Sequence, residues 1–248
     1  MSEKITYAVF LREARKPSAT PFTYIYYPIT YPLSYLLFKL GFSANGISLL
    51  SIIVSFLGAI TIIYGYFISG VTLFLISYLL DFCDGNVARI HYKYLKLSRS
   101  EASGKRGYMY ESLYANISYF LFFFSLGYYF YFTEGEKLIY FILPVFTVGI
   151  KIISRYMALY VSMLNNKGVS QKAVEKSADI LFASRSFFNH IKFFLKRIID
   201  NARMYYISFL LVALLFPSLL LYFFIAYCLL VLVLNALKII LIMLRVKA

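Results

Sequence analysis

The chain is short of charge. Only 15% of its 248 residues are Asp, Glu, Lys or Arg, against about 25% in soluble domains. Acidic side chains are the scarcer kind, 11 against 25 basic ones. Cysteine is nearly absent. Cys83 and Cys228 both sit inside apolar runs and do not form a metal-spaced pair. That excludes a disulfide scaffold and leaves both as small apolar packing residues. The apolar set, by contrast, reaches 61%, where soluble domains hold about 45–50%, and the mean hydropathy is +0.74. A soluble protein of 28.8 kDa has too little interior to bury so much apolar surface. Soluble and disordered classes are thereby excluded. What remains is an all-α polytopic membrane protein, each of whose spans needs about 20 apolar residues.

The segments follow from hydropathy. Residues 21–41 are apolar and aromatic but carry Pro28 and Pro32, which suits an interfacial helix in the headgroup region more than a span. Lys39 then reaches for the surface. Ser43-Ala44-Asn45 is a polar helix start. Six spans are expected, at about 46–66, 69–89, 108–132, 138–164, 204–216 and 218–244. A hydrophilic loop is expected over 91–106, and an interfacial helix from Ser186 to Arg203, where apolar residues recur at helical spacing. The chain reads as a single membrane domain, 1–248. A cleaved signal peptide is not expected, because no long apolar stretch follows the polar start.

The net charge of +14 would suit a nucleic-acid partner, but the basic residues lie in the gaps between apolar runs. That is the pattern of the positive-inside rule, so no nucleic acid is expected. Twenty of the 25 Lys and Arg fall before the first span, between the second and third, between the fourth and fifth, or at the end. Only Lys137 falls on the opposite side. Both termini are therefore expected in the cytoplasm, in a multi-pass protein of the cell membrane. The aromatic excess, 25 Phe and 25 Tyr, reads as lipid contact and interface belts.

A charge at the centre of a span costs about 2.5–3.5 kcal/mol on insertion scales. The second span nevertheless ends in DFCDGNVAR, Asp81 to Arg89. Asp81 and Asp84 are three residues apart and Ala88 is four further on, so one helix face carries all three. Two carboxylates on one face repel unless a proton or cation relieves them. Their oxygens suit magnesium, manganese or calcium. Gly85 leaves room for a substrate beside the backbone, and the forked donors of Arg89 suit a phosphate. A buried polar cluster that merely holds helices together is the plainer alternative, but two acids are a costly form of glue.

These residues resemble the CDP-alcohol phosphatidyltransferase family, whose signature is D-x2-D-G-x2-A-R-x8-G-x3-D-x3-D across two adjacent spans. Its first half is complete in Asp81, Asp84, Gly85, Ala88 and Arg89. Leu40-Gly41, Ser43, Asn45 and Ser48 are similar to the pattern that precedes it, with Ala44 where a proline is usual. The resemblance covers roughly Tyr27 to Tyr119. In the second half Gly107 aligns with the glycine, Glu111 with the third acid and Ala115 with the fourth, after 17 intervening residues where the signature has eight.

The resemblance implies six spans, a homodimer, and Mg2+ or Mn2+ held by Asp81, Asp84 and Glu111. It implies that the metals grip the diphosphate of a CDP-activated lipid or CDP-alcohol. An acceptor alcohol then attacks, and CMP leaves. Asn45, Gly85, Ala88, Arg89 and Gly107 fall to substrate binding. The fourth acid is the family's general base, and Ala115 cannot serve. His91 is a candidate replacement, or else an ordinary interface histidine. Lys151 and Arg155, four apart on one face of the fourth span, suit a phosphate on the acceptor or lipid, or pairing with the acids. Two other classes compete: a non-catalytic relative that binds nucleotide or lipid, and a transporter using the intramembrane carboxylates. An aspartate-rich prenyltransferase would need a second acidic motif, which the sequence lacks.

Overall fold

A computed structural model describes residues 5–14, 23–93, 101–164 and 205–246. Among these, helix is the only regular secondary structure, as expected. The elements are α1 (Tyr7–Ala14), α2 (Thr23–Lys39), α3 (Ala44–Ile63), α4 (Phe67–Lys93), α5 (Glu101–Thr133), α6 (Ile139–Leu164), α7 (Tyr205–Leu215), a 3-10 turn at Pro217–Leu219 and α8 (Leu220–Val246). Four described stretches are long and apolar enough to cross a membrane: Ala44–Ile63, Phe67–Tyr92, Ile139–Met157 and Pro217–Ile240. Several apolar helices of this length make an integral membrane protein.

Two of the expected spans stand apart. α5 covers 108–132 within one helix of 33 residues, but Tyr114, Tyr119, Tyr128, Tyr129 and Tyr131 dilute its hydropathy. α7, over the expected 204–216, is described for 11 residues, Tyr205–Leu215. The helix expected from Ser186 to Arg203 lies outside the described residues. The loop expected over 91–106 is corrected: α4 continues to Lys93 and α5 already begins at Glu101. Hydropathy locates where the apolar layer ends, whereas a helix stops only where its backbone bonding does. α1 was not legible in the polar N-terminal segment, yet Phe10 and Ala14 are fully buried.

The chain divides into two compact units, Met1–Tyr129 and Phe130–Ala248. In the first, α3 and α4 pack closely and α1 and α2 lie against α4. The packing is inverted relative to a soluble protein. The buried face of α3 is Ile47, Ser51, Ser55, Gly58, Ala59 and Ile62, while Leu49, Ile53, Phe56, Leu57 and Ile60 face outward. Small residues let helix backbones approach where lipid, not water, surrounds them. Gly58 and Gly70 mark the crossing. A Cβ on Gly70 would stand 2.7 Å from the Gly58 carbonyl oxygen and 2.4 Å from Ile62 Cγ1. The tight turn joining α3 to α4 passes through Gly65 at φ +89°, a conformation that side chains disfavour. α2 carries both prolines inside a continuous helix. They are four apart on its exposed side, while Tyr26, Thr30, Tyr31, Ser34, Leu37 and Phe38 are buried.

In the second unit α6 packs on α8, and α7 packs on α8 through aromatic rings. Phe209 meets Phe223 at 4.9 Å between centroids, and Phe224 meets Phe130 at 4.9 Å. Thr147 Oγ1 donates to Leu143 O at 2.8 Å and lies 3.3 Å from Cys228 O. Cys83 and Cys228 are both free and buried, consistent with packing roles.

Candidate functional site

The site starts where α2 stops. Gly41, at φ +82°, closes α2 with its N–H on Phe38 O at 3.0 Å, and Phe42 N–H reaches Leu37 O at 3.0 Å. This is a Schellman termination, which needs the left-handed glycine. Two residues on, Ser43 caps α3 in extended conformation, its hydroxyl accepting from Gly46 N–H at 3.1 Å. The Leu40-Gly41…Ser43-Ala44-Asn45 segment is thus a stop and a restart between α2 and α3. Asn45 lies in the first turn of α3 and is exposed.

α4 presents the acids. Asp81 is buried and Asp84 half-buried, one turn apart, with Gly85 and Ala88 on the same stripe. The Ser48 hydroxyl of α3 donates to Asp84 Oδ2, which orients the carboxylate on its helix face. A Cβ on Gly85 would meet, among the described residues, only Arg89 Nη1 at 3.6 Å. Ser48 stands in the resembling pattern, but only the fold brings it to the acid.

Arg89 is held by its neighbours. Its Nε donates to Ala14 O at the end of α1 at 2.7 Å, and its Nη2 donates to Asn86 Oδ1. Asn86 in turn donates to Ser34 Oγ at 2.9 Å. One face of the guanidinium therefore ties α1 and α2 to α4, and its remaining donors are what a phosphate could use. His91 lies on α4, not in a loop, about two turns or 10 Å beyond Asp84 by helical rise. Its ring packs against Phe38 at 5.9 Å. The structure does not bring it to the aspartates.

The register of α5 against α4 follows from ring pairs. Phe67 meets Tyr129 at 5.4 Å and Phe74 meets Phe122 at 5.0 Å. Seven residues forward on α4 match seven back on α5, as antiparallel helices require. The next such step pairs position 81 with 115, and one turn further places 111 level with 85. The backbone thus sets Glu111 and Ala115 at the height of the aspartates, with Gly107 one turn beyond. In the second unit, Lys151 and Arg155 are half-buried on α6, and the Lys151 ammonium lies 5.9 Å from the Tyr205 ring centroid.

The donor set fits a divalent cation. Asp81 and Asp84 supply hard carboxylate oxygens from one helix face. Mg2+ is commonly held by one or two carboxylates, with waters and substrate phosphates completing its shell. Among the described residues no three His, Cys, Asp or Glu side chains converge, so the aspartate pair is the core of the described site.

Residues 42–96 match the family model described as CDP-alcohol phosphatidyltransferase. The match spans α3 and the whole of Asp81–Arg89, so the resemblance read from those residues is borne out there. It ends before Gly107 and covers under a quarter of the chain. No curated protein matches the chain.

Proposed function

We propose that this chain transfers a phosphatidyl-type group from a CDP-activated lipid or CDP-alcohol to an acceptor alcohol, releasing CMP, in phospholipid biosynthesis. The observation that carries the reading is Asp81 and Asp84 on one face of α4, steadied by Ser48 and followed by Gly85, inside the segment that matches the family model. Asp81, Asp84 and Glu111 would hold Mg2+ or Mn2+. Bound there, the metal offsets charge on the diphosphate and polarises it for attack. Gly85 and Ala88 let the nucleotide lie against the helix, and Arg89 offers its guanidinium to a phosphate. Lys151 and Arg155 suit an anionic group on the acceptor or lipid. The wider expectations belong to the same reading: six spans, both termini cytoplasmic, and a homodimer.

Ala115 favours a second reading, a non-catalytic relative that binds nucleotide or lipid. The two separate in one assay: CMP release from CDP-diacylglycerol with Mg2+, across a panel of acceptor alcohols. Release supports transfer. CDP-lipid binding without release supports the second reading. Ala115→Asp is then expected to raise the rate by about 10²–10⁴, the range general-base catalysis supplies. Failure of both binding and release sinks the two readings together.

A further inference from the structure

One turn deeper than the acids, the first unit holds a cluster of hydroxyls that the proposed chemistry does not use. Ser55 of α3, Ser77 of α4 and Ser118 of α5 are each at most 3% exposed. Ser55 Oγ lies 2.6 Å from Ser77 Oγ and 2.9 Å from Ser118 Oγ. Ser77 Oγ also donates to Ser51 O at 2.7 Å. The phenol of Tyr114, 5% exposed, sits 2.7 Å from Ser77 Oγ and 3.2 Å from Ser77 O. Three helices are joined through one knot of side chains.

Apolar packing would hold these helices together without hydroxyls, as it does one and two turns deeper at Phe74–Phe122 and Gly58–Gly70. What hydrogen bonds add is direction: a shift of one helix along its axis breaks them, whereas apolar contacts slide. The knot is placed where such a constraint reaches the acids. Ser77 is one turn before Asp81. Ser51 donates to Ser48 O at 2.7 Å, and the Ser48 hydroxyl donates to Asp84. Tyr114 is three residues after Glu111 and directly precedes Ala115.

We propose that Tyr114 is a positioning residue: bonded to Ser77, which Ser55 links in turn to Ser118, it fixes the height of α5 so that positions 111 and 115 stand level with Asp84 and Asp81. The proposal rests on the functional reading for its catalytic consequence, but its geometric content stands apart. Tyr114→Phe keeps the ring and its packing and removes only the hydroxyl. In the full chain in lipid nanodiscs, it is expected to raise the Mg2+ concentration for half-maximal CMP release on the order of tenfold, the scale of a sub-ångström to ångström misplacement. The thermal midpoint should stay near that of the unmutated chain. Ser77→Ala also removes the bonds to Ser51 O and Ser55, so it should cost at least as much, and the double variant should lose less than the sum of the two, because the Tyr114–Ser77 bond is shared. An unchanged Mg2+ dependence, or fully additive losses, overturns the proposal.

Spin labels on the exposed Tyr92→Cys of α4 and Phe120→Cys of α5, with Cys83 and Cys228 replaced by Ala, read the height of α5 directly. Their distance distribution is expected to shift or broaden in Tyr114→Phe; an unchanged distribution overturns the proposal. This arm needs no turnover. A chain that releases no CMP counts against the functional reading, while the spin-label distances still decide the positioning role.

Discussion

Phe74 against Phe122 in the first unit and Phe209 against Phe223 in the second fill space in the same way, by edge-on ring packing. The units part company around those rings. The first threads Ser48, Ser51, Ser55, Ser77, Ser118 and Tyr114 through its interior and closes its helix crossing on two glycines. Among its described residues the second packs through aromatic rings, with Thr147 Oγ1 of α6 lying against Cys228 O of α8. Apolar packing suffices to hold helices together in lipid. Directional bonds are needed where helices must also be held at one height, and they occur beside the two intramembrane aspartates.

That contrast can be broken at its strongest point first. Asp81→Asn with Asp84→Asn is expected to lower CMP release by at least about 10³-fold, on the scale of losing electrostatic stabilisation of a developing charge. CDP-lipid affinity should fall with it, read by titration in nanodiscs. The cation pair of the second unit is expected to behave differently. Lys151→Ala with Arg155→Ala should leave CDP-lipid affinity unchanged and weaken a phosphate-bearing acceptor by roughly tenfold or more, the worth of charge-assisted hydrogen bonds. Equal effects on donor and acceptor would erase the distinction between the units.

The structural side of the comparison gives smaller effects. Gly70→Ala puts a methyl into the Gly58 carbonyl and Ile62, and such overpacking costs about 1–3 kcal/mol. The thermal midpoint in detergent should drop accordingly. Thr147→Val removes the α6–α8 polar link while keeping the shape. It should cost only about 0.6 kcal/mol, the average for an interhelical hydrogen bond in a membrane. A larger loss at Thr147 than at Gly70 would reverse the assignment of polar positioning to the first unit and plain packing to the second.

Much of this was legible in the residues. Asp81, Asp84, Gly85, Ala88 and Arg89 declare themselves because charge inside an apolar run is conspicuous and because three- and four-residue spacing defines a helix face without any fold. Ser43 was readable as a helix start for the same local reason. The ends of α4 and α5 were not, because polar residues leave the bilayer without ending a helix. α1 was hidden too. Phe10 and Ala14 are four apart, a helical spacing, but two residues make a weak pattern, and only their burial against α2 and α4 reveals the helix.

The sequence by itself determined the class of the protein, its apolar segments and the acid-bearing face, because hydropathy and helical periodicity are properties of neighbours along the chain. The tertiary structure alone decided that Ser48 steadies Asp84, that Arg89 spends donors on α1, that His91 turns to Phe38, and that position 115 stands opposite Asp81. Each of these is a meeting of residues remote in sequence, and their distance apart is set by how helices cross and slide, which no local pattern encodes.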